Sequence, residues 1–155
     1  MSAAKRILLV EDSPYDAELT LEVFKEHHVL NVVVHVRDGE EALDYLHRRG
    51  AFAGRADDLP ALVLLDLKMP KVDGLDVLRE MKGDPRLKVV PVVVMTSSRE
   101  DADLRKCYEL GVNAYVVKPV VFAEFVEAVR QLSMFWVLRN EPDPACRPRN
   151  EQPGK

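Results

Sequence analysis

Four short runs along the chain are apolar at every position: Ile7-Leu8-Leu9-Val10, Leu62-Val63-Leu64-Leu65, Val92-Val93-Val94-Met95 and Tyr115-Val116-Val117. A strand with one wet face alternates apolar and polar residues, so unbroken runs predict strands covered on both faces. Between them, apolar residues recur at helical spacing. The first strand, near Lys5 to Val10, leads to a helix opened by Ser13-Pro14, a cap followed by proline in the first turn, with Ala17, Leu21 and Phe24 inward. A second strand, about Val32 to Val36, precedes Arg37-Asp38-Gly39 and a helix through Ala42, Leu43 and Leu46 that Gly50 is expected to end. Ala51 to Pro60 has no clean period and reads as a long loop before the strand Leu62 to Asp66.

Asp73-Gly74 then turns the chain into a helix carrying Leu75, Val77, Leu78 and Met81, closed by Gly83-Asp84-Pro85. The next strand runs Pro91 to Thr96, and Ser98-Arg99-Glu100-Asp101 matches a capping box for a helix to about Leu110, with Gly111 at its end. A fifth strand, Ala114 to Val117, ends at Lys118-Pro119, and a last helix is expected from Phe122 to about Arg139. Strand and helix alternate five times, which predicts an α/β fold: a doubly wound parallel sheet with helices on both faces.

Composition narrows the function classes. With 155 residues, 47% hydrophobic and 31% charged, the chain fits one globular domain, taken as 1–140, followed by a Pro-rich tail, 141–155, too polar to build a core of its own. A formal charge of -4 disfavours direct binding of nucleic acid or of an anionic membrane. Cys107 and Cys146 form neither a metal spacing nor a disulfide framework, and no signal peptide or bilayer-length apolar run is present, so a cytoplasmic location is expected.

The polar residues at the strand ends carry the chemistry. Glu11-Asp12, Asp66, Thr96 and Lys118 each stand where an apolar run stops, and strand ends are where open α/β sheets bind ligands. Taken singly, each is also an ordinary solvated cap or turn residue; the coincidence at four strand ends points to a site. Asp66 is the candidate nucleophile, since a carboxylate can accept a phosphoryl group as a mixed anhydride. Glu11, Asp12 and Asp66 offer hard oxygen ligands for Mg²⁺ or Mn²⁺. Lys118 supplies a compact positive charge for phosphoryl oxygens, and the Thr96 hydroxyl can donate to one of them.

These residues, in the strings Leu8-Leu9-Val10-Glu11-Asp12, Leu65-Asp66-Leu67-Lys68-Met69-Pro70-Lys71-Val72-Asp73-Gly74, Val94-Met95-Thr96-Ser97 and Ala114-Tyr115-Val116-Val117-Lys118-Pro119, resemble the receiver domain of two-component response regulators over roughly Lys5 to Gln131. The resemblance implies a flavodoxin-like five-stranded sheet of order 2-1-3-4-5. It implies Asp66 as phosphoacceptor, Asp12, Asp66 and the Lys68 carbonyl as direct metal ligands beside Glu11, and Thr96 and Tyr115 as a switch pair. It also implies a cis Lys118-Pro119 bond aiming the lysine at the site, room for a phosphoryl group beside the small Ser97, and Lys68 and Ser98 flanking access to the anhydride. A static packed aromatic is the alternative for Tyr115, and a plain capping run the alternative for Thr96-Ser97-Ser98.

The closing segment is apolar on almost every side, at Leu132, Met134, Phe135, Trp136, Val137 and Leu138. One protomer can cover only one face. A homodimer burying Phe135, Trp136 and Leu138 resolves this; a tail folded back over Phe135 and Leu138 is the alternative. The long loop before Pro60, the Phe135-Trp136 run and Asn140-Glu141-Pro142 are similar to small response regulators paired with bacterial phytochrome histidine kinases, which implies such a kinase as phosphodonor. Docking would use Tyr15, Leu19 and Glu22 on the first helix, a stripe equally readable as plain helix surface. Too little chain follows Arg139 to fold an output domain, so the expected role is a signalling switch, enzymatic only in accepting and losing its own phosphoryl group. A phosphate sink or relay is the alternative. A phosphohydrolase is disfavoured because the second acid expected two residues after the nucleophile is Lys68.

Overall fold

The computed structural model describes residues 5–26, 32–55, 59–69 and 71–147. Five parallel strands, β1 (Arg6–Val10), β2 (Val32–Val36), β3 (Leu62–Leu65), β4 (Val92–Thr96) and β5 (Ala114–Val117), form one sheet in the order β2-β1-β3-β4-β5. The helices α1 (Pro14–Glu26), α2 (Gly39–His47), α3 (Gly74–Gly83), α4 (Asp101–Leu110) and α5 (Phe122–Leu132) connect them.

Successive strand residues point to opposite faces, so each apolar run feeds two cores at once. Leu8, Val10, Val63, Leu65, Val92 and Val94 pack with Ala42, Leu46, Val77, Leu78 and Met81 of α2 and α3 and with Cys107 of α4. Ile7, Leu9, Leu62, Leu64, Val93 and Met95 pack with Ala17 and Phe24 of α1 and Phe125 and Val129 of α5. Each such aliphatic side chain contributes about 1.5–3 kcal/mol when fully buried, which is why the strand centres are apolar on both faces. Leu21 of the inward triplet is only half-buried, while Val23 takes the buried place beside Phe24.

Several local expectations are corrected. Helix α2 ends at His47, and Arg48, not Gly50, takes the left-handed cap at φ 54°; Gly50 instead opens a short 3-10 turn, Gly50–Phe52. Ser98 is not the N-cap of α4: that is Glu100, which makes no side-chain capping bond and donates its N–H to Ser98 Oγ at 3.3 Å, while the Ser98 hydroxyl donates to Asp103 at 2.6 Å. Gly111 does close α4, at φ 98°. The last helix is not regular to Arg139; Ser133–Arg139 is a π-helical segment, with the Asn140 N–H donating to the Phe135 carbonyl at 2.6 Å. The wider turn sends Val137 inward and sets Trp136 against the core, leaving Met134, Phe135 and Leu138 exposed. The Lys118-Pro119 bond is trans, as are all peptide bonds among the described residues. Pro142 and Cys146 are buried, so 141–147 lies against the domain; Pro70 and residues 56–58 and 148–155 of the sequence reading lie outside the described residues.

Candidate functional site

The pairing of strand ends brings the polar residues together. The Asp66 N–H donates to the Val10 carbonyl at 3.1 Å, the Glu11 N–H to the Val36 carbonyl at 3.1 Å, and the Lys118 N–H to the Thr96 carbonyl at 2.7 Å. Backbone bonds of the sheet thus fix where three of the functional side chains begin. Gly74 lets the α3 entry pass directly beneath the acceptor: a Cβ there would stand 2.2 Å from the Asp66 carbonyl oxygen. Its N–H donates to the Leu67 carbonyl at 2.9 Å, and Asp73 caps the helix by accepting from the Asp76 N–H.

Lys118 is the hub. Its side chain is 9% exposed, and Nζ donates to Glu11 Oε1 at 2.5 Å, Asp16 Oδ2 at 2.8 Å and Asp66 Oδ2 at 3.3 Å. The trans peptide at Pro119 therefore suffices to bring the lysine into the site. Burial works against the ammonium, but hydrogen bonds to Asp16 and Glu11, with the charges of Glu11 and Asp66, outweigh it and raise its pKa. Burial pushes the Glu11 carboxyl up to about 7, although Lys118 beside it pulls the other way.

Glu11, Asp12 and Asp66 each present a carboxylate oxygen within 4.8 Å of the others, with Asp12 exposed at the mouth. Three hard oxygens in that space fit a divalent cation of the Mg²⁺ or Mn²⁺ type, which also relieves their mutual repulsion. Glu11 is the least free of the three, since its Oε2 also accepts from the Ser13 N–H at 3.2 Å.

Thr96 is fully buried and its Oγ1 accepts from the Ser98 N–H at 3.4 Å; Ser97 beside it is exposed. Tyr115 packs half-buried against the α2–α4 core layer, and its hydroxyl donates to the Ser98 carbonyl at 3.0 Å. Lys68 sits exposed at the mouth, with its N–H donating to Asp66 Oδ1 at 3.4 Å.

Two residues joining this constellation were absent from the sequence reading. Asp16 carries the strand-end pair's signal one helical turn further on, but an acid in the first turn of a helix is normally explained by the helix dipole alone. Asp103 was hidden in the same way, one turn into α4, and its contacts emerge only from the fold.

On the first helix, Tyr15 is 63% exposed and lines, with Leu19, Pro119, Val120 and Phe122, a groove of about 110 Å³. Glu22 lies one turn on, beside an open cleft of about 370 Å³ that reaches Asp12, His35 and Arg37. At the other end of the molecule, Phe135 and Leu138 are each 54% exposed, while Trp136 is half-buried and stacks edge-on against Phe135.

The chain is similar in sequence and fold to known proteins. The response regulator receiver domain family matches residues 7–130. Response regulator Rcp1 of Synechocystis sp. is 40% identical over 133 residues, covering 86% of this chain and 89% of its own, and its Mn²⁺-bound crystal structure superposes with a TM-score of 0.85, covering 90% and 99%. The phosphorylated cyanobacterial phytochrome response regulator RcpA gives a TM-score of 0.85 at 40% identity, covering 90% of this chain and 99% of that one. The bacteriophytochrome response regulator AtBRR is 55% identical with a TM-score of 0.71, over the same shares of 90% and 99%. With the family model matched over residues 7–130 and the sheet order in agreement with it, the chain belongs to the response regulator receiver domain family.

Proposed function

We propose that Asp66 is the acceptor of a phosphoryl group from a phosphohistidine of a partner histidine kinase. The observation that carries this is Lys118 Nζ, held among Glu11, Asp16 and Asp66 at the rim with Asp66 its longest contact at 3.3 Å, where an incoming phosphoryl oxygen can claim it. An Asp66 carboxylate oxygen attacks phosphorus, the bond from phosphorus to the histidine nitrogen breaks, and the nitrogen keeps the electron pair. Asp12, Asp66 and the Lys68 carbonyl, with Glu11 beside them, would hold Mg²⁺ or Mn²⁺, which neutralises charge on the carboxylates and the transferring group. Ser97 leaves room for the phosphoryl group, Thr96 donates its hydroxyl to it, and Lys118 balances its charge.

Thr96 and Tyr115 form the switch. A phosphoryl group that engages Thr96 alters the loop carrying Ser98, on whose carbonyl the Tyr115 hydroxyl rests, and so biases the α4–β5–α5 face. The chain then signals by association as a homodimer through Phe135, Trp136 and Leu138, whose exposed apolar rings support an interface. Tyr15, Leu19 and Glu22 dock the kinase, with the groove beside Val120 receiving apolar side chains. The kinship with RcpA and AtBRR supports a bacteriophytochrome as that kinase. No helix among the described residues is long and apolar enough to cross a membrane.

Intact mass after exposure to acetyl phosphate tests the acceptor. A Mg²⁺-dependent, alkali-labile gain of one phosphoryl group, absent in Asp66→Ala, is expected; a gain that survives in the mutant overturns the assignment. Sedimentation of the same samples separates switch from sink, since a sink leaves assembly unchanged.

A further inference from the structure

An acid in the first turn of a helix ordinarily faces water, where the dipole favours it at no desolvation cost. Asp103 is instead only 9% exposed, and its carboxylate reaches back to Ser98, two residues before the Glu100 N-cap of its own helix. Asp103 Oδ2 accepts from the Ser98 hydroxyl at 2.6 Å and lies 3.4 Å from Lys68 Nζ. A carboxylate shielded from water is disfavoured without such partners, so the contacts are what make this position tolerable. The Ser98 hydroxyl, with Lys68 adding to it, holds the carboxyl below its usual range.

The two partners come from the two loops that flank the acceptor. Lys68 is joined to Asp66 through its own N–H, and Ser98 is joined to Thr96 through its N–H and to Tyr115 through its carbonyl. Asp103 therefore links a chain of contacts that runs from Asp66 through Lys68, Asp103 and Ser98 to Thr96. It is the member of that chain that touches both loops and comes from neither.

We infer that Asp103 is a positioning residue for phosphorylated Asp66: by holding Lys68 and Ser98 across the mouth of the site, it limits the approach of water and sets the lifetime of the phosphoryl group. The inference rests on the reading of Asp66 as acceptor. In the step it slows, a water oxygen bonds to phosphorus, the bond from phosphorus to the Asp66 oxygen breaks, and that oxygen leaves with the electron pair. The water proton passes to the released phosphate.

The test is the decay of the label in full-length protein, charged with acetyl phosphate and Mg²⁺ and then freed of the donor. Asp103→Ala is expected to shorten the lifetime about fivefold, the scale of one ordinary hydrogen bond. Asp103→Asn, which can still accept from Ser98 but loses the charge on Lys68, falls between. Ser98→Ala tests the same chain of contacts from its loop side should Asp103→Ala fold poorly, and is also expected to shorten the lifetime. In a Lys68→Ala background the Asp103→Ala effect drops below about twofold, a non-additivity that general loosening of the fold does not produce. An unchanged or longer lifetime in Asp103→Ala and Ser98→Ala, or full additivity with Lys68→Ala, overturns the inference while leaving the acceptor in place. Failure of the wild type to take up any label removes the acceptor reading, and this inference falls with it.

Discussion

Replacing Lys118 with methionine keeps the buried stem and removes the charge that three carboxylates share. Glu11 and Asp66 are buried, with side chains 6% and 8% exposed, and Asp16 is 25% exposed, so the two closest to the core are left with little water to compensate. Breaking a buried pair by removing one partner costs about 3–5 kcal/mol. The loss depends on pH, and its sign follows from Glu11. Lys118 titrates above its ordinary value, so its contribution is constant from mildly acid to mildly alkaline solution and is lost only as pH rises through that raised value. The Glu11 carboxyl already sits up at about 7, and without Lys118 it rises further; between its unfolded value near 4.5 and its folded value, the folded chain holds a proton that the unfolded chain has released, so stability falls as pH rises. Protonated Glu11 needs no ammonium, so the penalty of Lys118→Met is expected to be smaller at pH 5.5 than at pH 8. Urea unfolding at both pH values measures it. Added Mg²⁺ should restore more stability to the variant than to the wild type, since loss of one positive charge strengthens cation binding by about tenfold, or about 1.4 kcal/mol. A loss below about 1 kcal/mol at pH 8, or an equal loss at both pH values, refutes the hub reading.

The remaining predictions concern the floor of the site, the metal and the thiols. Gly74→Ala places a methyl against the Asp66 carbonyl at 2.2 Å and the Leu67 Cα at 2.6 Å, so a destabilisation of about 1–3 kcal/mol is expected, together with slower phosphorylation; denaturant titration and intact-mass labelling check both. Mg²⁺ binding should release a proton near neutral pH and tighten as pH rises through about 7, because the cation needs Glu11 ionised; calorimetry in two buffers of different ionisation enthalpy counts the proton. Burial holds the Cys107 and Cys146 thiols up at about 11 and about 12, so neither should be alkylated by iodoacetamide in the native protein at pH 8, whereas both should be in denaturant; mass spectrometry counts the adducts.

The framework was legible because its signals are local and redundant. Four unbroken apolar runs leave little choice but covered strands, and Ser13-Pro14, Asp73-Gly74 and Gly111 mark helix ends by chemistry that tertiary structure had no reason to override. Misreadings fall where a local motif met a distant partner. Ser98 has the spacing of a capping box, yet its hydroxyl found Asp103 and left the cap to the Glu100 backbone. Gly50 looked like the end of α2, but the helix stops two residues earlier on an arginine, whose N–H reaches back to the Asp44 and Tyr45 carbonyls. The apolar closing segment has no period a regular helix could satisfy, and the π-turn resolves part of the conflict inside the chain by burying Val137.

Asp16 shows how the charge of the site is balanced. Glu11, Asp12, Asp16 and Asp66 carry four negative charges when ionised against one on Lys118, a local balance of about -3 that a divalent cation reduces to about -1. Glu11 relieves part of the excess by holding a proton near neutrality. Asp16 does something different: partly exposed, it draws Lys118 to 2.8 Å while Asp66 keeps it at 3.3 Å, so the acceptor has the longer and weaker share of the ammonium. Asp16→Asn removes that pull. Lys118 should then move toward Asp66, and Mg²⁺ affinity should fall by about two- to fivefold, the effect of one screened charge at short range. Metal titration followed by calorimetry reads the affinity, and acetyl phosphate labelling reads the acceptor, which should be charged more slowly because its carboxylate is now more tightly paired. An Asp16→Asn protein that binds Mg²⁺ as tightly as the wild type and is labelled as fast would show that Asp16 is only a helix-start acid, and that Glu11 alone sets the place of the lysine.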